Sequence, residues 1–179
     1  MKLTHEGVFR NLRCFEDWKL ISIGCLFCLL IGFVAPAFAV GPYEDQGNGA
    51  VLDKGSGLMW QKGDSHHELK KALNWYDALE YLGQKNAEKL AGYSDWRLPT
   101  RAELEGLWDA ARTNRSKDNE ALGLAKEFEE GGSYYLWTRD ERGLDFAWYF
   151  GLGHKELYFN LKDLSDLGQG AKLVRQAGK

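Results

Sequence analysis

The stretch Gly92–Leu104, GYSDWRLPTRAEL, decides how this chain is read. Thr100 and Glu103 stand at the spacing of a capping box, in which a hydroxyl caps a helix N-terminus and a carboxylate returns a hydrogen bond to the cap. Pro99 keeps the chain extended just before that point. Leu104, Leu107 and Trp108 then recur on one helical face. Trp96 lies between the end of one helix and the start of the next, where a large aromatic fills a gap between helix and sheet. Arg97 is expected to pair with Asp95 or to bridge backbone carbonyls. Together with Trp60 upstream, the residues Asp95, Trp96, Arg97, Pro99, Thr100 and Glu103 read as a structural set. A catalytic role for Asp95 and Arg97 is the weaker alternative, because structural ion pairs produce the same clusters.

Upstream, Gly47-Asn48-Gly49 and Lys54 to Gly57 are turn signals around Ala50–Asp53 and Leu58–Gln61, which predicts a β-hairpin. From Asn74 the spacing turns helical, with Trp75, Ala78, Leu79 and Leu82 on one stripe and Asn74 as cap. That helix is expected to run toward Leu90 and to stop by Gly92. Downstream, Thr113 to Gly132 is polar and reads as a long surface excursion with a short helix near Leu122 to Phe128. Three strands follow, Tyr134–Thr138, Phe146–Phe150 and Glu156–Leu161, and a last one over Ala171–Gln176 closes the chain. The order strand, helix, helix, strands indicates α+β.

Before this domain, Leu20 to Val34 is an uncharged apolar run, preceded by Lys2, Arg10, Arg13 and Lys19 and followed by the small-x-small pattern Ala37-Phe38-Ala39. This is the layout of a signal peptide cleaved after Ala39. The expected mature chain is one domain, 40–179, in the periplasm or outside the cell. The competing reading keeps residues 20–40 as an uncleaved anchor, near the ~20 residues that span a bilayer. Glu6, Glu16 and Asp17 dilute the positive start, which is also compatible with a true start downstream of Met1.

Cys14, Cys25 and Cys28 are the only cysteines, and all fall in the leader, so the domain must be stabilised by its core. Four of the 23 basic and three of the 26 acidic residues lie in the leader, leaving a net charge of −4 on the rest. That balance argues against bulk nucleic-acid binding.

The chain resembles the Lcl C-terminal domain family. The likeness is carried by VLDKGSGLMWQ at 51–61, NWYDAL at 74–79, the 92–104 block, YLWT at 135–138, AWYFGLG at 147–153 and KLVR at 172–175. It implies a C-type-lectin-like fold related to formylglycine-generating enzymes. In that fold the N-terminal hairpin meets the final strand, two helices flank a small, mainly antiparallel sheet, and a long surface loop region presents the ligand face. Many relatives carry a cysteine in the first helix and another in the KLVR segment, and this domain has neither.

No Glu-Pro-Asn or Gln-Pro-Asp tripeptide of calcium-dependent lectins occurs. Thiolate or copper chemistry needs a cysteine that the domain lacks. Asp64, His66, His67 and Glu68 read as a solvated helix lead-in, since adjacent histidines point apart, and His154 reads as a lone exposed histidine. No cofactor is expected. The candidate ligand surface is Trp137, Arg139, Arg142, Trp148 and Lys155, an aromatic platform rimmed by cations that suits sugars or sulfated glycans. For Trp137 and Trp148 the core is the competing and favoured reading, because large aromatics in strands are usually buried. The expected function is non-enzymatic recognition of a glycan or envelope protein. The alternatives are an envelope enzyme using Asp140, Glu141 or Asp145, and a structural envelope subunit.

Overall fold

A computed structural model describes residues 43–111 and 113–178; the leader and its cleavage pattern lie outside them. The turn residues at 47–49 and 54–57 fold the chain into β1 (Tyr43–Asp45), β2 (Ala50–Asp53) and β3 (Leu58–Gln61). The last strand, β10 (Val174–Gln176), pairs antiparallel with β3, giving one sheet in the order β1-β2-β3-β10. A second sheet has the order β8-β7-β6-β9, from β6 (Tyr135–Arg142), β7 (Phe146–Gly151), β8 (Glu156–Leu161) and β9 (Gln169–Gly170). Only β6 and β9 pair in parallel among the described strands. The architecture is α+β, with two four-stranded sheets and a separate two-stranded one where the sequence suggested a single sheet. The expected final strand is divided: its first residues lead away from β9, and only Val174–Gln176 join β10.

Three helices accompany the sheets. A single turn, α1 (Ser65–Leu69), is capped by Asp64. The helix α2 (Trp75–Ala87) is capped by Asn74, whose side chain accepts from the Asp77 N–H at 2.8 Å. It ends three residues short of the expected Leu90, because Lys89 takes a left-handed conformation and a 3-10 turn follows over Leu90–Gly92. The helix α3 (Arg101–Leu107) begins with the predicted capping box, Thr100 accepting from Glu103 N–H at 3.2 Å and Glu103 from Thr100 N–H at 2.7 Å.

The 92–104 block is a staple, but its ion pairs are re-partnered. Trp96 is buried and its indole N–H donates to Leu90 O at 2.9 Å, while Asn86 of α2 brackets its backbone through both N–H and C=O. Arg97 pairs with Glu103 instead of Asp95, through two hydrogen bonds of 2.5 and 2.8 Å, and also donates to a backbone carbonyl, Leu98 O, at 3.3 Å. Asp95 instead receives the guanidinium of Arg175 at 2.6 and 3.2 Å, and Arg175 also stacks on Tyr93 at 3.7 Å. The reason is geometric: Arg97 bridges to Val174 across the sheet edge, turning its side chain toward the first turn of α3.

Two apolar clusters form the core. One joins α2 and Trp96 to one face of the second sheet around Trp137 and Tyr149; the other joins α3 to the opposite face around Leu136 and Phe150. The segment 113–132 corrects the expected surface excursion. It holds no helix but a short hairpin, β4 (Asn114–Arg115) with β5 (Ala121–Leu122). Leu122, Leu124, Ala125 and Phe128 are buried in the second cluster, which is why an apolar pattern that looked helical is instead a packed loop. Among the described residues no helix is long and apolar enough to cross a membrane.

Candidate functional site

The second sheet brings the candidate residues together in part. Alternation along β6 and β7 puts Trp137 on the α2 side and Trp148 on the α3 side. Trp137 is 0 % exposed, and its indole N–H donates to Leu73 O at 2.8 Å. It is a core residue and no part of a ligand face. Lys155 sits in the β7–β8 turn over Trp108 at 5.2 Å, at the far end of the sheet from the β6–β7 turn that follows Arg142. Trp148 is half-buried and belongs to a different neighbourhood.

That neighbourhood is built by a β-bulge. The register of β6 on β7 slips between Trp137 and Glu141, and Thr138 holds the slip by donating to Trp148 O at 2.9 Å and accepting from Asp140 N–H at 3.1 Å. Arg139 N–H donates to Pro99 O at 2.8 Å, so the bulge docks on the start of α3. Asp140 then accepts the Arg101 N–H at 2.7 Å and pairs with its guanidinium at 3.6 Å. Arg101 lies 4.8 Å over the Trp148 ring. Arg142 lies 3.7 Å over Phe159 and 5.6 Å from Trp148. Phe159 is 44 % exposed and touches both Trp148 and Phe146 edge to face.

The platform is therefore Arg101, Arg142, Trp148 and Phe159, with Arg139 exposed on the bulge. A guanidinium lying flat on a ring keeps its N–H edge outward for a carboxylate or sulfate. Two nearby carboxylates are otherwise engaged, Asp140 by Arg101 and Glu141 by Lys162 at 2.5 Å. Among the described residues neither Arg139 nor Arg142 has a carboxylate within ion-pair distance. Sequence reasoning missed Arg101 and Phe159. The pairing of Trp148 with Phe159 across β7 and β8 follows from strand alternation, but Arg101 joins only through the bulge.

On the other face of the sheet, Tyr135, Tyr149 and Tyr158 form a ring cluster. His154 is exposed but not alone: its Nδ1 meets the Tyr134 hydroxyl at 2.8 Å and its Nε2 the Tyr158 hydroxyl at 2.8 Å. Tyr158 in turn donates to Glu156, a hydrogen bond that, with some burial, pushes the phenol up to about 12. Gly153 in the AWYFGLG motif is required here, because a Cβ would collide with the Tyr134 hydroxyl.

The Asp64 to Glu68 segment is more tightly held than a solvated lead-in. His67 bridges Asp64 and Glu130 O, each at 3.0 Å, and Glu68 turns away to Tyr81 and Lys85. Asp64 is buried, which opposes its charge, yet His67, Lys172 and the Ser133 N–H hold its carboxyl below the usual range. Among the described residues no group of three or more His, Cys, Asp or Glu converges as metal ligands would.

The model of the Lcl C-terminal domain matches residues 49–175, well over half of the chain. The chain belongs to that family. All of the platform lies within the matched span, as do both sheets except β1 and the last residue of β10. A search of curated proteins finds no match. In this member of the Lcl C-terminal domain family, the quoted motifs thus serve two ends: RLPTRAEL builds the staple and, through Pro99 and Arg101, one side of the platform.

Proposed function

We propose that this protein is a non-enzymatic recognition domain, exported to the cell envelope, that binds an acidic glycan on the Arg101–Arg142–Trp148–Phe159 platform without a calcium-dependent lectin motif. The observation that carries the reading is the pair of guanidinium groups laid on aromatic faces, Arg142 without a carboxylate of its own among the described residues. Sugar rings stack on aromatic faces through their C–H edges, and sulfate or carboxylate substituents meet a guanidinium fork. The C-type-lectin-like assignment belongs to the same proposal and is supported by the meeting of the N-terminal hairpin with β10 and by two longer helices packed on sheets.

The purified protein is expected to bind a sulfated polysaccharide such as heparin and not uncharged dextran, with affinity falling as salt rises. Arg142→Ala should weaken binding about 10-fold, since a charge-assisted hydrogen bond contributes ~1.5–3 kcal/mol. Arg142→Lys should recover only part of it, because the fork is lost. Equal binding by wild type and Arg142→Ala in a calorimetric titration would remove the platform from the account. For export, protein recovered from the envelope or medium is expected to begin at Val40; N-terminal sequencing that returned Met1 would favour the anchored form.

A further inference from the structure

At the start of β6, the end of the strand away from Arg142, an open groove of about 300 Å³ runs between the Lys117–Glu120 turn, Tyr134 and Tyr135, and Leu167–Gly168. That volume is at the small end of the ~300–1,000 Å³ typical of ligand sites and fits a single ring-sized molecule. The lining mixes signs and donor types. Lys117 is paired with Asp118 at 2.5 Å, an exposed pair that leaves two ammonium hydrogens over. The Glu120 carboxylate has no hydrogen-bond or ion-pair partner among the described residues, while its backbone N–H donates to Ser116 Oγ at 3.1 Å and its C=O accepts from Ser116 N–H at 2.9 Å. Leu167 is exposed and contributes an apolar wall.

The groove's tyrosines are fixed in advance, Tyr134 by His154 and by contact with Tyr135, and Tyr135 edge to face on Tyr149 and Tyr158. Rings already held in place cost little ordering on binding.

We infer that this groove is a second binding site, one for a neutral sugar ring, built from Glu120, Lys117, Tyr134, Tyr135 and Leu167. A hydroxyl both donates and accepts, so a polyol satisfies a free carboxylate and an ammonium at once, where an anion would face Glu120 and Asp118 and a simple cation would leave the ammonium unanswered. The tyrosines and Leu167 supply the apolar contact for the ring. This site goes beyond the platform reading and does not depend on it, because the two lie near opposite ends of β6, seven residues or ~23 Å apart along the strand.

The test is saturation-transfer NMR on the purified full chain with the methyl glycosides of glucose, galactose, mannose and N-acetylglucosamine. At least one should receive saturation, with a Kd near ~1 mM for a single ring in a shallow groove. Glu120→Ala, at an exposed position, should weaken that Kd at least about threefold, and Leu167→Ala should also weaken it. Arg142→Ala should leave it unchanged. No transfer to any of the four at about 50 mM, far above the expected Kd, would overturn the site, as would transfer indifferent to Glu120→Ala. Loss of transfer in Arg142→Ala alone would move the sugar to the platform, refuting the groove while leaving the platform reading intact.

Discussion

Trp96→Ala is expected to lower the melting temperature of the purified protein by about 10–20 °C, the largest effect of any substitution proposed for it. Removing a buried tryptophan costs ~3–5 kcal/mol, a large share of the ~5–15 kcal/mol that holds an ordinary domain together, and each kcal/mol moves the midpoint by a few degrees at about this chain length. The indole is buried among the first core cluster and ties the 3-10 turn through Leu90 O. Asn86, which clasps the Trp96 backbone, would lose the wedge that keeps α2 and the following chain apart. The domain has no disulfide to offset the loss. A variant that melts like wild type and loses only ligand binding would show Trp96 to be a recognition residue.

Lys172 gives the second large effect, and it appears as a slope against pH. Its ammonium group is wholly buried, donating to Lys62 O at 3.0 Å and Gly63 O at 2.6 Å and lying 4.7 Å over Phe128. Burial lowers its pKa to about 8, against the favourable pull of Asp64 and Glu129. A neutral amine still has two N–H bonds for those two carbonyls, so losing the proton costs no hydrogen bond. Below pH 8 both folded and unfolded chains hold the proton. Between about 8 and 10.5 only the unfolded chain does, so stability rises with pH in that window, by roughly 3 kcal/mol over its full width. Tyr43 and Tyr81, whose phenols burial pushes far above 10, act in the opposite sense from about pH 10 upward. The comparison is therefore between wild type and Lys172→Met, followed by denaturant unfolding from pH 7 to 10. Wild type should gain stability relative to the variant as pH passes 8. Parallel curves would mean that the ammonium is not desolvated.

Local chemistry made much of this fold legible. The caps at Asn74 and Thr100 depend on residues three apart, and the β2–β3 hairpin on a four-residue turn, so each was readable without the rest of the chain. The 113–132 segment was not, because Leu122, Leu124, Ala125 and Phe128 meet their partners across the second core cluster, far away in sequence. Arg97 illustrates the same limit: the sequence offered Asp95 or backbone carbonyls as its partners and Glu103 only as the capping-box carboxylate, whereas the folded chain gives it Glu103. The platform was half legible. Arg142 and Trp148 carry chemistry that a strand pattern reveals, whereas Trp137 shares their composition and faces the other way. Nothing local distinguishes Lys155, whose aromatic partner is Trp108, from a residue at the platform. The groove depends on Gly168 and Lys117 approaching Tyr135 from opposite directions in the chain, and no spacing rule reports that.

The first sheet has a consequence for how such a unit can be carried. Tyr43 pairs with Asp53, Asp53 with Leu58 and Leu58 with Gln176, so the point where the chain enters this sheet and the point where it leaves stand in one cross-strand row. Three strand spacings of ~4.8 Å separate them, about 14 Å in all. Neighbouring ends of this kind make a cassette: the unit can be spliced into a surface loop of a host, or have its ends joined and be reopened elsewhere, with little rearrangement. Both connections would leave from the β1 to β10 sheet, and the β6 to β8 sheet, with its two unlike faces, would carry none of the attachment.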